Sequence, residues 1–396
     1  MKVFVLSNRT DWRSRKILGL TPDSRLLFQL KAAGATSVTV LIRGDAPALN
    51  GPEGLAVEVR PAPDGMEDVL VAASALFDDA SGPVAVFDSE AIFARDFASD
   101  ALRLTENTTF LADGRAVVTV MTAPGSSKEV PLEGRAATIT TPAGIKQAKK
   151  MLLNGLRKPM LIDGIVGYYI MRPITLRVTS LIVNTPIRPN HVTAFCMLLG
   201  LGGAAMVAIA GNREWMMALG VLLYFIGATL DCVDGEMARL KYAGSYVGAW
   251  FDTISDDFST AALLIAIGFY ATQIEGPQMI WLYMGLSAAV VFLLGEFYTY
   301  YYLAKVYHSG DVLDFQWAAG VKKKASADSF KDYFLLIGKR DFFSFALVIF
   351  AVSGLIKVGL VWLSVMMYMF AVYVLVDIIL SLRRPGWRTN SIGKDK

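Results

Sequence analysis

Charge is what this sequence most conspicuously lacks. Of its 396 residues, 18% are Asp, Glu, Lys or Arg, against roughly a quarter in soluble domains. Mean hydropathy is +0.45, so an all-soluble chain is excluded. A net charge of +3 is too small to suggest a nucleic-acid binder. There are two cysteines, Cys196 and Cys232, both inside apolar runs, which excludes a disulfide framework and a metal-finger spacing. With only His191 and His308, a histidine-rich metal site or a histidine proton relay is excluded as well. A signal peptide is expected to be absent, because the apolar run Val3–Leu6 stops at Ser7-Asn8-Arg9. What the chain has instead is apolar surface, 54% of its residues, which excludes disorder. A membrane protein with its chemistry facing the cell interior is expected.

The chain divides in two. Residues 1–145 hold no apolar run long enough to cross a bilayer and alternate short β-rich runs with helical patterns. Strands are predicted at Lys2–Ser7, Val38–Ile42, Ala56–Arg60, Val84–Phe87 and Ala116–Met121, with helices at Ser24–Ala33 and Met66–Phe77. That alternation predicts a layered α/β domain on a mostly parallel sheet. Pro142–Arg157 reads as a basic amphipathic helix. Residues 146–192 form a linker in which Asp163–Thr185, apolar but carrying Arg172 and Arg177, reads as a helix lying at the membrane interface. From residue 193 to 396 six apolar stretches reach spanning scale, near 193–210, 215–232, 252–274, 279–304, 341–356 and 359–381. The loops 233–251 and 305–340 with the tail 383–396 carry fourteen Lys and Arg, and the opposite side carries two, Arg213 and Lys357. By the positive-inside rule both termini and the long loops are cytoplasmic, in an inner (plasma) membrane.

The chemistry-bearing signal sits between the second and third spans: Asp231-Cys-Val-Asp234-Gly235-Glu-Met-Ala238-Arg239, eight residues, then Gly248-Ala-Trp-Phe-Asp252-Thr-Ile-Ser-Asp256. Asp231 and Asp234 are three apart, Asp252 and Asp256 four apart, so each pair shares one helix face. Two antiparallel helices with a short loop then bring four carboxylates together. Four acids in a low dielectric require cations. Oxygen-only ligands select hard divalent ions such as Mg²⁺, Mn²⁺ or Ca²⁺, and four acids suit a pair. Gly235 and Ala238 leave the helix surface bare for a phosphorylated ligand, and Arg239 adds a cation for a phosphate oxygen. Solvated helix-end acids or a cation pathway are the plainer alternatives. Intramembrane acids are functional by default, and Arg239 would oppose cation entry.

The pattern D-x2-D-G-x2-A-R-x8-G-x3-D-x3-D resembles the signature of the CDP-alcohol phosphotransferase family at every specified position. The resemblance implies that Asp231, Asp234, Asp252 and Asp256 ligate two divalent cations, Mg²⁺ or Mn²⁺, and that Asp256 is also the general base. It implies that Gly235, Ala238, Arg239 and Gly248 hold the CDP moiety, with Asn190 and Thr193 as further candidates; by themselves Pro189-Asn190 and Thr193 read as a proline turn and a helix cap. The partners implied are a CDP-linked donor, a hydroxyl acceptor, membrane lipids and a second copy of the chain.

Leu156-Arg-Lys-Pro159, Asp163-Gly164, Tyr168 to Arg172 and Thr185-Pro-Ile-Arg-Pro-Asn-His-Val-Thr193 are similar to a narrower group, the bifunctional inositol-phosphate cytidylyltransferase/di-inositol-phosphate-phosphate synthases. That likeness implies a cytosolic nucleotidyltransferase-like domain ahead of the membrane half and favours inositol phosphate or a similar polyol as acceptor. Glycerol phosphate, serine or another alcohol is the alternative with the same chemistry; a nucleotide-binding transporter or scaffold is the alternative without it. Arg340 is the first candidate for the acceptor, with Arg172 and Lys339 behind it. In the N-terminal domain Ser7–Lys16 holds no glycine where such enzymes place a triphosphate loop. Asp88 alone stands where a metal-binding acid would, so a non-catalytic domain is expected. Lys322–Lys324 reads as a headgroup patch, and Tyr298 with Tyr300–Tyr302 as an interfacial belt.

Overall fold

The computed structural model describes residues 1–7, 16–43, 51–66, 68–79, 82–276, 279–317 and 336–383. Much of Ser7–Lys16, the Lys322–Lys324 patch and the end of the tail therefore lie outside the described residues. The chain forms two compact units. One comprises residues 1–157 with 180–186 and 240–242; the other comprises 158–179, 187–239 and the described residues from 243 onward.

The first unit is built on a seven-stranded sheet: β1 (Lys2–Ser7), β2 (Ser37–Ile42), β3 (Ala56–Pro61), β4 (Val84–Asp88), β6 (Thr108–Ala112), β7 (Arg115–Met121) and β8 (Lys128–Pro131), in the order β3-β2-β1-β4-β7-β6-β8. Strands β1 to β4 pair in parallel, as the alternating pattern predicts, and β7 runs antiparallel to both β4 and β6. β5 (Ala91–Phe93) and β9 (Ala136–Thr138) form a separate antiparallel pair. β1 reads as a continuous apolar run because both its faces are covered. Val3 and Val5 pack with Leu26, Leu27 and Leu30 of helix α1 (Pro22–Ala32), while Phe4 and Leu6 pack with Val69, Ala72 and Ala73 of α2 (Val69–Asp79). Thr21 caps α1 by accepting from the Ser24 amide, and Pro22 fills its first position. A short α3 (Phe97–Leu102) adds Phe97 to the core, and α4 (Pro142–Asn154) follows the sheet.

Asp88, at the end of β4, is fully buried, and its charge is met from within the protein. Its Oδ1 accepts the Glu90 amide at 2.8 Å, and Arg115 Nη2 lies 3.0 Å from its Oδ2 while also holding Glu90. Burial pushes the Asp88 carboxyl up to about 6, against the Glu90 amide and Arg115, which lower it. The folded value thus exceeds the roughly 3.9 of an unfolded aspartate. The native state keeps a proton that the unfolded chain releases between about pH 4 and pH 6, so this carboxyl's contribution to stability falls as pH rises through that window, by about 3 kcal/mol. Asp88→Asn is expected to flatten that dependence, read as hydrogen-exchange protection of β1 and β4 across pH 4 to 7.

The second unit is helical. A single turn, α5 (Met160–Asp163), precedes a π-helical stretch at Gly167–Met171 that runs into α6 (Arg172–Ile182). Among the described residues, five helices are long and apolar enough to cross a membrane: α7 (Pro189–Ala208), α8 (Glu214–Lys241), α9 (Tyr246–Glu275), α10 (Ile280–Tyr302, extended to Tyr307 by a π-helical stretch) and α12 (Ile356–Arg383). The segment expected as the fifth of six spans is shorter. Its helix, α11 (Arg340–Val352), has 13 residues, about 20 Å of rise against a hydrocarbon core of about 30 Å. It stops because Gly354 turns left-handed at φ +72° before α12 begins. The chain is a multi-pass helical membrane protein with an α/β sheet domain at its N-terminal end.

Close helix crossings are made by glycine. A Cβ on Gly203 of α7 would lie 2.4 Å from the Gly220 carbonyl of α8, and one on Gly220 would lie 2.6 Å from the Gly203 carbonyl. In a bilayer, where lipid tails remove the hydrophobic drive between helices, such backbone contact supplies the packing. It fixes α7 against α8 one end away from the acidic motif.

Candidate active site

The motif spans the last turns of α8 and the first turns of α9, which are joined by residues 242–245. Tyr242 makes the reversal at φ +51°, and Ser245 caps α9 by accepting the Gly248 amide at 3.0 Å. On α8 the positions 231, 234, 235, 238 and 239 recur at helical spacing and form one stripe; 248, 252 and 256 do the same on α9. Most of both stripes lines a single cavity of about 330 Å³: Asp231, Asp234, Gly235, Ala238, Arg239, Gly248 and Asp252, with Asn190 and Thr193 of α7. Every residue expected to hold the CDP moiety lines this one cavity.

Three of the four expected carboxylates come together. Oxygens of Asp231, Asp252 and Asp256 lie within 4.8 Å of one another. Asp234 lines the same cavity but has one oxygen engaged elsewhere: its Oδ2 accepts the hydroxyl of Thr193, a buried residue one helix away. Thr193 is therefore no helix cap, since Arg188 holds that position; its hydroxyl orients an acid of the motif. Asn190 packs on Gly248, where an added Cβ would meet Asn190 Oδ1 at 2.9 Å. A side chain at 248 would displace that amide and the Ser245 hydroxyl, which lies equally close.

The donor set suits divalent ions. All candidate ligands are carboxylate oxygens, and Asp252 Oδ1 is buried without a hydrogen-bond partner, an uncompensated charge of the kind a cation resolves.

The three cations expected for the acceptor are placed differently from one another. Arg340, at the start of α11, reaches the acid cluster, with Nη1 paired to Asp256 and 3.5 Å from Asp231 Oδ2. Lys339 is committed instead to backbone carbonyls, including that of Ile162 at 2.8 Å. Arg172 is buried and grips Asp163 through Nε and Nη2 at 2.7 and 2.6 Å, and Glu236 through Nη1 at 2.6 Å. It also lines the cavity beside the acidic motif, with its charge shared between those two carboxylates. Of the tyrosines expected as an interfacial belt, Tyr300 is buried and donates to Asp257, and Tyr298 donates to Asp377 at 2.7 Å. Only Tyr301 of that group is largely exposed.

Glu236 escaped the sequence reading, which treated it as a variable position of the motif. It is fully buried, facing α6, where it accepts from Arg172 and from the hydroxyls of Thr175 at 2.8 Å and Thr179 at 2.6 Å. The available signal was the run Arg172-x2-Thr175-x3-Thr179, a polar stripe at helical spacing. The opposite face of this segment exposes Tyr169, Ile170, Ile174 and Leu181.

Comparison with known proteins gives the same direction. Residues 186–376 match the family described as CDP-alcohol phosphatidyltransferase. The chain is similar to a bifunctional IPC transferase and DIPP synthase of Thermococcus kodakarensis, 33% identical over 150 residues, which are 38% of this chain and 32% of that protein. It is similar to the protein of the same description from Aquifex aeolicus, 27% identical over 228 residues, or 57% of this chain and 46% of that one. It also resembles the phosphatidylinositol phosphate synthase of Corynebacterium glutamicum, 27% identical over 138 residues, covering 35% of this chain and 59% of that protein. The matches span less than half the length of the two bifunctional relatives.

Proposed function

We propose that the CDP-alcohol phosphatidyltransferase domain carried on residues 186–376 transfers a phosphoalcohol group, phosphatidyl in the favoured case, from a CDP-linked donor to an acceptor hydroxyl and releases CMP. The observation that carries this reading is the convergence of Asp231, Asp252 and Asp256 beside a cavity lined by Asp234, Arg239 and bare glycine surface.

The roles follow from the chemistry of each group. Gly235, Ala238 and Gly248 leave room for the nucleotide, and Arg239 supplies positive charge to a phosphate oxygen. Asp231, Asp234, Asp252 and Asp256 would hold two divalent ions, Mg²⁺ or Mn²⁺, which supply charge stabilisation at the pyrophosphate oxygens. Asp256 takes the proton of the acceptor hydroxyl. The freed oxygen attacks the β-phosphorus, the bond from that phosphorus to the bridging oxygen breaks, and CMP departs with the electron pair. Thr193 holds Asp234 in place by its hydrogen bond. Arg340, set among the acids at the start of α11, is the cation for a phosphorylated acceptor.

An inositol phosphate is the favoured acceptor, because the relatives include a phosphatidylinositol phosphate synthase and a CDP-diacylglycerol–inositol 3-phosphatidyltransferase of Drosophila melanogaster. We read residues 1–145 as a non-catalytic domain, since Arg115 already neutralises Asp88. α6, which buries Arg172, Thr175 and Thr179 and exposes Ile174, Arg177 and Leu181, is read as lying at the interface. α11 is read as completing a six-span domain with its active site on the cytoplasmic side of an inner membrane, and the resemblance supports a homodimer.

The test is CMP release by the purified chain given CDP-diacylglycerol, Mg²⁺ or Mn²⁺ and a panel of inositol phosphate, glycerol phosphate and serine. Release with one acceptor, lost to a chelator and restored by Mg²⁺ or Mn²⁺, is the expected result. Release independent of divalent ions would overturn the metal assignment, and none with any acceptor would overturn the phosphatidyl donor.

A further inference from the structure

The cavity holds a cation that the motif does not explain. Lys158 lies between α4 and α5 and lines the same cavity as Asp231, Asp234 and Arg239. Its two cationic neighbours there differ from it. Arg172 is neutralised by Asp163 and Glu236, and Arg239 belongs to the nucleotide stripe. Lys158 makes no ion pair or hydrogen bond among the described residues, although it is half-buried. Burial lowers its ammonium below the usual lysine range, and the neighbouring charges of Arg239 and then Arg172 lower it further; Asp163 and Asp311 offset this only in part. A partly desolvated lysine that lines a cavity with the Arg239 guanidinium and makes no ion pair of its own is a place that gains from an anion.

We propose that Lys158 binds a phosphate oxygen of the CDP-linked donor and thereby sets the donor's affinity. The inference rests on the reading of this domain as a CDP-alcohol phosphatidyltransferase. The nucleotide's phosphates are favoured over the acceptor's by position. Lys158 lines the cavity together with Gly235, Ala238 and Arg239 of the nucleotide stripe, whereas the cation assigned to the acceptor, Arg340, is engaged with Asp231 and Asp256. Lysine suits the task as a compact point charge on a flexible stem, able to follow a phosphate that moves as the bond to CMP breaks.

The experiment measures CDP binding by calorimetry to the purified full chain in detergent with Mg²⁺, together with KM values for CDP-diacylglycerol and for the acceptor. Lys158→Met is expected to weaken CDP binding and to raise the donor KM, each by roughly tenfold or more, the scale of one charged hydrogen bond. The acceptor KM is expected to stay within about twofold, and Lys158→Arg to recover most of the loss. Equal CDP affinity in wild type and Lys158→Met would overturn the inference while leaving the domain's function standing. A shift confined to the acceptor KM would overturn it as well, moving the lysine to the other substrate. A wild-type chain that binds no CDP would overturn the reading of the domain itself, and this inference with it.

Discussion

Asp256→Asn is expected to lower CMP release by about 10² to 10⁴, the range for loss of a positioned general base. The substitution keeps the side-chain shape and removes the capacity to accept a proton. It also removes one of three carboxylates whose oxygens lie within 4.8 Å of one another. The two losses separate by titrating Mg²⁺. If Asp256 acts mainly as base, kcat falls while the Mg²⁺ concentration for half activity moves little. If it acts mainly as ligand, excess Mg²⁺ restores much of the rate. Asp252→Asn provides the contrast, because its Oδ1 is the buried oxygen without a partner; there the Mg²⁺ requirement is expected to rise first. CDP binding by Asp256→Asn at saturating Mg²⁺ should persist, which separates a lost proton acceptor from a collapsed site. Turnover within tenfold of wild type would sink the general-base assignment.

The sequence carried the part of this site that is local in the chain. Helical spacing alone put 231, 234, 235, 238 and 239 on one stripe and 248, 252 and 256 on another, and the structure lines one cavity with most of both. What spacing could not supply was the rotation of each side chain against a third helix. One oxygen of Asp234 accepts from Thr193 of α7, a partner 41 positions away, an engagement that spacing along α8 does not encode. Arg340 reaches the acids across more than eighty residues, and no periodicity encodes that. In the N-terminal unit the strands buried on both faces were legible as apolar runs, while the three- to five-residue strands β5, β6, β8 and β9 were not. One of these had a local sign: Asp113 and Gly114, at φ +52° and +77°, make the two-residue reversal between β6 and β7, and Asp-Gly favours that turn. α11 was misjudged in length because apolar residues continue past the Gly354 stop.

The polar face of α6 leads to the second large effect. Glu236→Ala is expected to destabilise the membrane unit by about 3 to 5 kcal/mol, since removing one partner of a buried ion pair leaves the other uncompensated. Arg172 would keep Asp163, whose two oxygens it already holds at 2.6 and 2.7 Å, so the loss belongs at the lower end of that range. The hydroxyl of Thr179 loses its acceptor in the same step, while that of Thr175 keeps the Arg172 carbonyl at 3.3 Å; a buried hydroxyl left unpaired adds about 1 to 3 kcal/mol, which moves the expectation upward again. Glu236→Gln keeps an acceptor for the threonines but not the charge for Arg172, so it should fall between wild type and alanine. The readout is thermal unfolding in detergent. Function should follow the same order, because Glu236 sits between Gly235 and Ala238 on the helix that carries the nucleotide stripe, and its hold on α6 fixes how α8 is rotated. A Glu236→Ala protein as stable as wild type would mean that Arg172 is satisfied by Asp163 alone. The polar face of α6 would then be solvated, and α8 would take its rotation from the Gly203–Gly220 crossing.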